Sequence, residues 1–469
     1  MDPARSVSKK KMGILIICPT RELATQTYNE SKVLANKYNL GVIKLIGGEN
    51  IKPQYADILK LRHDIIVGTP GQILKTIEIN HFFTQSIKHL KALVLDEADM
   101  LLNTELKETV NAIISFCPED RANYLVSATF SDEMIEISKN VFGENKVSVI
   151  DATSGDDSQM VEKIDHSYML IDWDMHFPTI YHILLSSIKK HLQGNRKGSK
   201  YIIFVPTSKT AEIYSSVLRS LLTKQYVSKK KSKNKNLPDD IEVYCIHGKM
   251  PQEDRNKVFG QFRNFNHDNN RSAVIVTTDV SSRGLDYPDV KLVLQIGVPT
   301  NTEQYLHRVG RTGRAGKNGD SILFISPFEK KFIEKVEDFI GKTMNKNTQF
   351  TSELISKQRS LLKKLESFPA NEPENLDNNH ENGLDSSENQ EVEKYMKMYV
   401  YKKARIHDTI ALNNFNEMYF SLLSYYAGLN EAMKFNPDKI LLSINKTGKF
   451  FDFEQPRILA PYLSSFFSI

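Results

Sequence analysis

The stretch LVLDEADMLL, Leu93 to Leu102, runs from apolar residues into an acidic cluster, Asp96, Glu97 and Asp99, and back to apolar ones. Such a pattern reads as a buried strand that ends at a sheet edge and turns into a helix. Carboxylates at the carboxyl end of an α/β strand stand where these sheets bind ligands. One can hold a magnesium ion through water while the next positions or deprotonates the attacking water in phosphoryl transfer. Taken alone, the same letters describe an ordinary acidic strand end, so their meaning depends on the rest of the chain.

Outward from that strand, short β-branched runs alternate with longer helical stretches. In a first block the strand candidates end near Cys18, Ile46, Val67, Leu95, Val126 and Val149; in a second they end near Val205, Ile246, Val276, Ile296 and Ile325. This alternation predicts an α/β chain of two tandem parallel-sheet domains. The polar residues Asp151 to Gln159 read as the connection between them. The expected boundaries are a first domain over 1–151, a linker over 152–160, a second domain over 161–328 and a mostly helical extension over 329–469. Within the extension, 370–393 is acidic and lacks Lys and Arg, which predicts a disordered, solvated loop. The lysine-rich run Ser228 to Asn236 (SKKKSKNKN) reads as a flexible surface insertion.

A chain of 469 residues with 40% hydrophobic content can bury cores for two or three domains. Lys and Arg number 62 against 57 Asp and Glu, a net charge of +5, so any basic footprint for nucleic acid must be local. Cys18, Cys117 and Cys245 are far apart and lack metal-ligand spacing, which predicts buried or free thiols. No apolar run approaches the roughly 18 residues that span a bilayer. The first eleven residues carry Arg5 and Lys9 to Lys11 without an apolar secretion segment, and they leave the compartment open.

The acidic strand end is one of a series. PTRELA (Pro19 to Ala24) closes the first strand, and Gly47-Gly48 and TPG (Thr69 to Gly71) follow the next two. SAT (Ser127 to Thr129) comes after the acidic cluster. In the second block lie IIFVPT (Ile202 to Thr207), His247-Gly248 with QEDR (Gln252 to Arg255), TTDVSSRGLD (Thr277 to Asp286) and HRVGRTGRAG (His307 to Gly316). The last sets Arg308, Arg311 and Arg314 at three-residue steps, which suits guanidinium groups converging on phosphates. The interleaved Gly310, Gly313 and Gly316 disfavour a solvated basic helix.

In this order the motifs resemble those of the DEAD-box ATP-dependent RNA helicases, over roughly Gly13 to Pro327. The resemblance implies RecA-like domains, the first one truncated, with ATP and magnesium as cofactors. It implies that Asp96 holds the magnesium ion through water, that Glu97 orients the water, and that Asp286 meets the ribose region. Arg311 and Arg314 would stabilise charge on the γ-phosphate, an effect worth roughly 10³ or more in rate. Asp99, Ser127, Thr129 and His307 would couple the nucleotide site to the RNA site. RNA would be held mainly by its phosphates, with little sequence preference, at Thr20, Arg21, Gly47, Gly48, Thr69, Pro70, Gly71, His247, Gly248, Arg255 and Thr278. Gln72 stands where the family usually has arginine. The C-terminal LLSYYAGLNE (Leu422 to Glu431) and RILAPYLSSF (Arg457 to Phe466) more loosely resemble the helical extension of fungal mitochondrial RNA-chaperone members. That likeness would place the protein in mitochondria, with nucleus and cytoplasm as the alternatives.

The family also uses G-x-x-x-x-G-K-[ST] ahead of PTRELA and a glutamine-containing adenine-reading segment before that. These 469 residues contain neither. Gly341 to Thr343 spells Gly-Lys-Thr, but Val336 stands where the first glycine is needed. The expectation is an N-terminally incomplete helicase chain that does not turn over ATP by itself, with the flank of one strand of its first sheet left unpaired. Two other readings are a non-catalytic RNA-binding protein and a protein-interaction scaffold that uses the aromatic C-terminal segment. Intact Asp96, Glu97, Arg311 and Arg314 argue against the first of these.

Overall fold

The computed structural model describes residues 11–60, 62–102, 106–127, 139, 148–150, 163–195, 198–222, 240–265, 271–282, 287–314, 317–347 and 412–451. The expected linker, the lysine-rich insertion and the acidic loop lie outside these residues. The chain divides into two compact units: Met1–Ala152 with Pro251–Asn256 and Arg283–Asp286, and Thr153–Met250 with Lys257–Ser282 and Tyr287–Ile469.

The strands of the first unit are β1 (Ile14–Ile17), β2 (Val42–Leu45), β3 (Ile65–Gly68), β4 (Ala92–Asp96) and β5 (Ala122–Val126). They form one sheet in the order β2-β3-β1-β4-β5, and every pair in it is parallel. Helices α1 (Arg21–Asn36), α2 (Ile51–Lys60), α3 (Pro70–Ile79), α4 (His81–Ile87), α5 (Ala98–Leu102) and α6 (Leu106–Ser115) make the connections. The β-branched runs favour strands because both faces are covered. Leu15, Ile17, Ile66, Leu93 and Leu95 are completely buried. Thr20 stops β1 and starts α1, accepting a hydrogen bond from the Leu23 amide at 3.3 Å.

Among the described residues β5 is an edge strand of this sheet. Tyr124 and Val126 on it are 55% and 53% exposed. Of the strand expected to end near Val149, only 148–150 are among the described residues; they are irregular, and Ile150 is 88% exposed.

The main strands of the second unit are β6 (Ile164–Leu170), β7 (Lys200–Phe204), β8 (Asp240–Ile246), β9 (Arg271–Thr277), β10 (Val290–Ile296) and β11 (Gly319–Ile325). A two-residue strand that the sequence did not signal, β12 (Asn345–Lys346), pairs with β6. This sheet is also wholly parallel, with the order β12-β6-β11-β10-β7-β9-β8. The helices are α7 (His176–Asn195), α8 (Ser208–Leu222), α9 (Gln252–Arg263), α10 (Thr302–Val309) and α11 (Lys331–Ile340).

The C-terminal segment forms α12 (Leu412–Met433), α13 (Pro437–Ile444) and α14 (Lys446–Phe451). Phe415, Leu422, Leu423, Tyr426 and Ile440 are completely buried and join the same hydrophobic cluster as the sheet. Polar ties fix the register. Ser421 shares a hydrogen bond with Thr207 at 2.8 Å, Glu417 pairs with Lys209 at 2.7 Å, and Ser443 bonds Ser326 at 2.8 Å.

Glu329 sits at this junction, 1% exposed. Its carboxylate accepts from the Val298 and Ser326 amides and from the Tyr426 hydroxyl, at 3.0, 2.7 and 2.8 Å. Burial pushes its pKa from the ordinary 4.5 up to about 7, although these three hydrogen bonds pull the other way. The folded protein therefore holds this proton more tightly than the unfolded chain does. Its contribution to stability is fully present below about pH 4.5 and is lost as pH rises through about 7. The shift corresponds to roughly 3 kcal/mol. Glu329→Gln removes the titration, so the melting temperature of the wild type minus that of the variant should fall steadily between pH 5 and pH 7 and then level off. Calorimetric scans across that range check it.

Candidate functional site

Because every strand of the first sheet points the same way, its motif loops collect on one edge. Paired β1 and β3 end in Thr20-Arg21 and in Thr69-Pro70-Gly71, which open α1 and α3. Two helix N-termini on adjacent strands concentrate backbone N–H groups and positive dipole ends. Beside them, β2 ends near Gly47-Gly48, where the Arg21 guanidinium lies against the backbone. A Cβ on Gly48 would come within 2.4 Å of Arg21 Nη1, and Gly48 has φ of +79°. Its conformation is what requires glycine, since the contact is with the flexible end of Arg21, which can shift. Gly71 differs: a Cβ there would meet nothing within 4 Å. Gln72, which stands in place of the family's arginine, is buried on α3, and its Nε2 has no hydrogen-bond partner.

Next along the edge, β4 ends at Asp96. The Asp96 carboxylate accepts from the Glu97 amide at 3.1 Å and from the Thr27 hydroxyl at 3.5 Å. Burial raises its pKa, and those two hydrogen bonds partly offset the rise. A cation at this carboxylate would reverse the desolvation effect. Glu97 adopts φ of +52°, a left-handed conformation that costs a non-glycine residue about 1–2 kcal/mol. Its carbonyl accepts from the Met100 amide and so opens α5. Backbone strain of this kind gathers at functional sites. Asp99 in α5 accepts a hydrogen bond from Ser127, the residue that follows β5, at 3.0 Å, so two of the predicted coupling residues meet. Thr129 lies outside the described residues.

Sequence reasoning passed over Thr27 and Cys18 here. Thr27 is two helical turns beyond Thr20, a spacing that puts both on one face of α1. The Cys18 thiol is buried beside Thr27, and its pKa is pushed up by burial and then by Asp96.

In the second unit, His247 and Gly248 follow β8 and Thr278 follows β9, while Arg255, in the first turn of α9, belongs to the first unit. His247 Nε2 is 3.4 Å from Glu212 Oε1. Asn301 caps α10 through the Gln304 amide at 2.7 Å, and the helix ends at Gly310. His307 is on its last turn. Arg311 and Arg314 come after it, their Nε atoms donating to the carbonyls of His307 and Gly310 at 3.2 and 2.9 Å. Gly313, with φ of +68°, turns the chain between them. Asp286 and Gly316 lie outside the described residues.

The expected convergence of three arginines is corrected at Arg308. That side chain is completely buried and clamps Asp279 with Nε and Nη2 at 2.6 and 3.0 Å. The guanidinium also lies over the Phe204 ring at 5.4 Å. One residue of an evenly spaced basic run faces inward from its helix, and there a carboxylate must meet it. Asp279 was visible in TTDV but carried no signal of this partner.

Two parallel α/β units with motif residues at their carboxyl edges define a two-domain helicase of RecA-like architecture. Residues 3–137 match the DEAD/DEAH box helicase family and 183–316 the helicase conserved C-terminal domain; the chain belongs to the DEAD-box helicases. It is 35% identical over 328 residues to DEAD-box ATP-dependent RNA helicase 25 of Arabidopsis thaliana, covering 69% of this chain and 53% of the relative. It is 34% identical to DEAD-box ATP-dependent RNA helicase 26 of Oryza sativa subsp. japonica, covering 70% and 56%. The chain thus spans about half the length of these relatives. The fold is similar to that of Mss116p bound to single-stranded RNA and AMP-PNP, with a TM-score of 0.70 at 23% identity over 98% of this chain and 79% of that one. It is also similar to S. cerevisiae Dbp5 bound to RNA and ADP BeF3, with a TM-score of 0.56 at 22% identity over 76% and 83%.

The contrast between the two glycines of the first edge is testable. Gly48→Ala forces a left-handed alanine against Arg21 and should lower stability by about 1–2 kcal/mol. Gly71→Ala, in open space inside a helix, should leave stability unchanged or raise it by up to about 1 kcal/mol. Urea unfolding of the two variants decides it.

Proposed function

We propose that this chain is the RNA-gripping body of a DEAD-box ATP-dependent RNA helicase or RNA chaperone, an enzyme that remodels RNA duplexes by coupling them to ATP hydrolysis. One observation carries the reading: Arg21 laid on Gly47-Gly48 beside the N-termini of α1 and α3. A guanidinium and two helix ends on one sheet edge suit consecutive backbone phosphates. His247, Gly248 and Thr278 of the second unit, together with Arg255, take the same role. Single-stranded RNA of any sequence is the expected ligand.

The carboxylates fit the magnesium part of the reaction. Asp96 would hold a hydrated magnesium ion, a hard cation that suits a carboxylate raised by burial, and Glu97 would orient water. When bound, ATP with magnesium would supply the phosphoryl group whose transfer drives strand separation. Arg311 and Arg314 would carry positive charge to it, with Asp286 at the ribose, and Asp99, Ser127, Thr129 and His307 would couple the two ligands. The phosphate cradle is a different matter. No G-x-x-x-x-G-K-[ST] occurs in these 469 residues, so no loop, lysine or metal-binding hydroxyl is at hand and no hydrolytic step is derived for the chain by itself. The scaffold reading draws less support, because Phe415, Tyr419 and Tyr426 of the aromatic segment are packed inside the second core.

Fluorescence titration of the 469-residue protein with unrelated single-stranded RNAs of equal length should give similar affinities that fall steeply with salt. Arg21→Ala should weaken all of them alike and reduce the salt slope by about 1. A strong preference for one sequence, or binding indifferent to salt, overturns the reading. Phosphate release should not exceed that of Glu97→Gln, with or without RNA; clear RNA-stimulated turnover would show that these residues bind the triphosphate unaided.

A further inference from the structure

Tyr425 and Tyr426 stand side by side on α12, their rings edge to face with centroids 5.4 Å apart. Each hydroxyl reaches the loop that follows β10, by a different route. Tyr425 donates to the Val298 carbonyl at 2.7 Å. Tyr426 donates to Glu329 Oε1 at 2.8 Å, and the same oxygen accepts from the Val298 amide at 3.0 Å. Both backbone groups of Val298 are therefore tied to the tyrosine pair, one directly and one through Glu329. Gly297, at φ of +72°, admits the pair, since a Cβ there would lie 2.5 Å from the Tyr426 hydroxyl.

The Arg308–Asp279 clamp, buried at its arginine, is the next link, because Tyr425 also hydrogen-bonds the Arg308 guanidinium. Burial tends to lower the Arg308 pKa, but Asp279 and then Tyr425 more than restore it. The clamp joins two segments. Asp279 directly follows Thr278, and the Arg308 carbonyl accepts from the Arg311 amide at 3.2 Å, at the start of the turn that carries Arg311 and Arg314.

We infer that Tyr425 and Tyr426 are positioning residues: through Val298, Glu329 and the Arg308–Asp279 pair, the C-terminal helix holds the Thr278 loop and the Arg311–Arg314 turn in place. The C-terminal helix is then a working part of the phosphate-binding edge of the second unit. Neither tyrosine touches a ligand. What the held segments bind rests on the function proposed above, whereas the holding itself does not.

Hydrogen–deuterium exchange on the 469-residue protein tests it without any ligand. Tyr425→Phe and Tyr426→Phe keep the packed rings and delete only the hydroxyls. Loss of one buried hydrogen bond should speed exchange about tenfold within 277–282 and 306–314, with melting temperature shifted by only a few degrees. Tyr419→Phe is the control, because its hydroxyl bonds Asn445 inside the C-terminal helices and should leave both segments unchanged. In parallel, Tyr425→Phe should weaken binding of a single-stranded oligouridine several-fold, and Tyr419→Phe should not. Exchange in the two segments that stays at wild-type rates, or that rises equally across the whole unit, overturns the inference. A local rise in exchange in a protein that binds no RNA, wild type included, upholds the positioning role and defeats the functional reading instead.

Discussion

Every described strand in both sheets runs parallel to its neighbours, and the placement of the functional groups depends on that single constraint. A parallel pair needs a crossover, so each strand hands its carboxyl end to a loop and a helix on the same edge. Residues as far apart in sequence as Thr20, Gly48, Thr69, Asp96 and Ser127 are thereby brought to one rim. The same rule sets His247, Thr278 and the α10 region on the rim of the second sheet. Ligand chemistry follows from backbone polarity before any side chain is considered.

Side chains then divide each rim. In the first unit, glycines and helix N-termini occupy the β2-β3-β1 side, which suits anions. Carboxylates occupy β4, which suits a cation. Burial raises the Asp96 pKa, an effect a cation would reverse, and Glu97 carries backbone strain of the kind that gathers at functional sites. In the second unit part of the rim is taken by the chain's own C-terminal helix, anchored at the loops after β7, β10 and β11. The polar groups at this junction are buried and mutually dependent. Removing one partner of the Arg308–Asp279 clamp would leave an uncompensated charge, a loss of about 3–5 kcal/mol.

Much of this was legible in the sequence because its signals are local. Periodicity placed the strands ending at Ile17, Gly68, Asp96 and Ile325 to within a residue or two. The ordered motifs named the family. The clearest miss is a matter of burial. Arg308 has the spacing of a phosphate ligand, but it is buried on Asp279.

By itself the sequence determined which residues carry charge, which runs can be strand or helix, and in what order the motif loops occur, for those properties reside in a few neighbouring residues. Only the tertiary structure decided which of three evenly spaced arginines turns inward, that Arg21 lies on Gly48, and that Tyr425 and Tyr426 reach from the C-terminal helix to the loop beneath the arginine turn. Those outcomes depend on contacts between residues far apart in the chain or on opposite sides of a crossover. They are settled by burial, where an unpaired polar group is expensive, and burial belongs to the assembled fold.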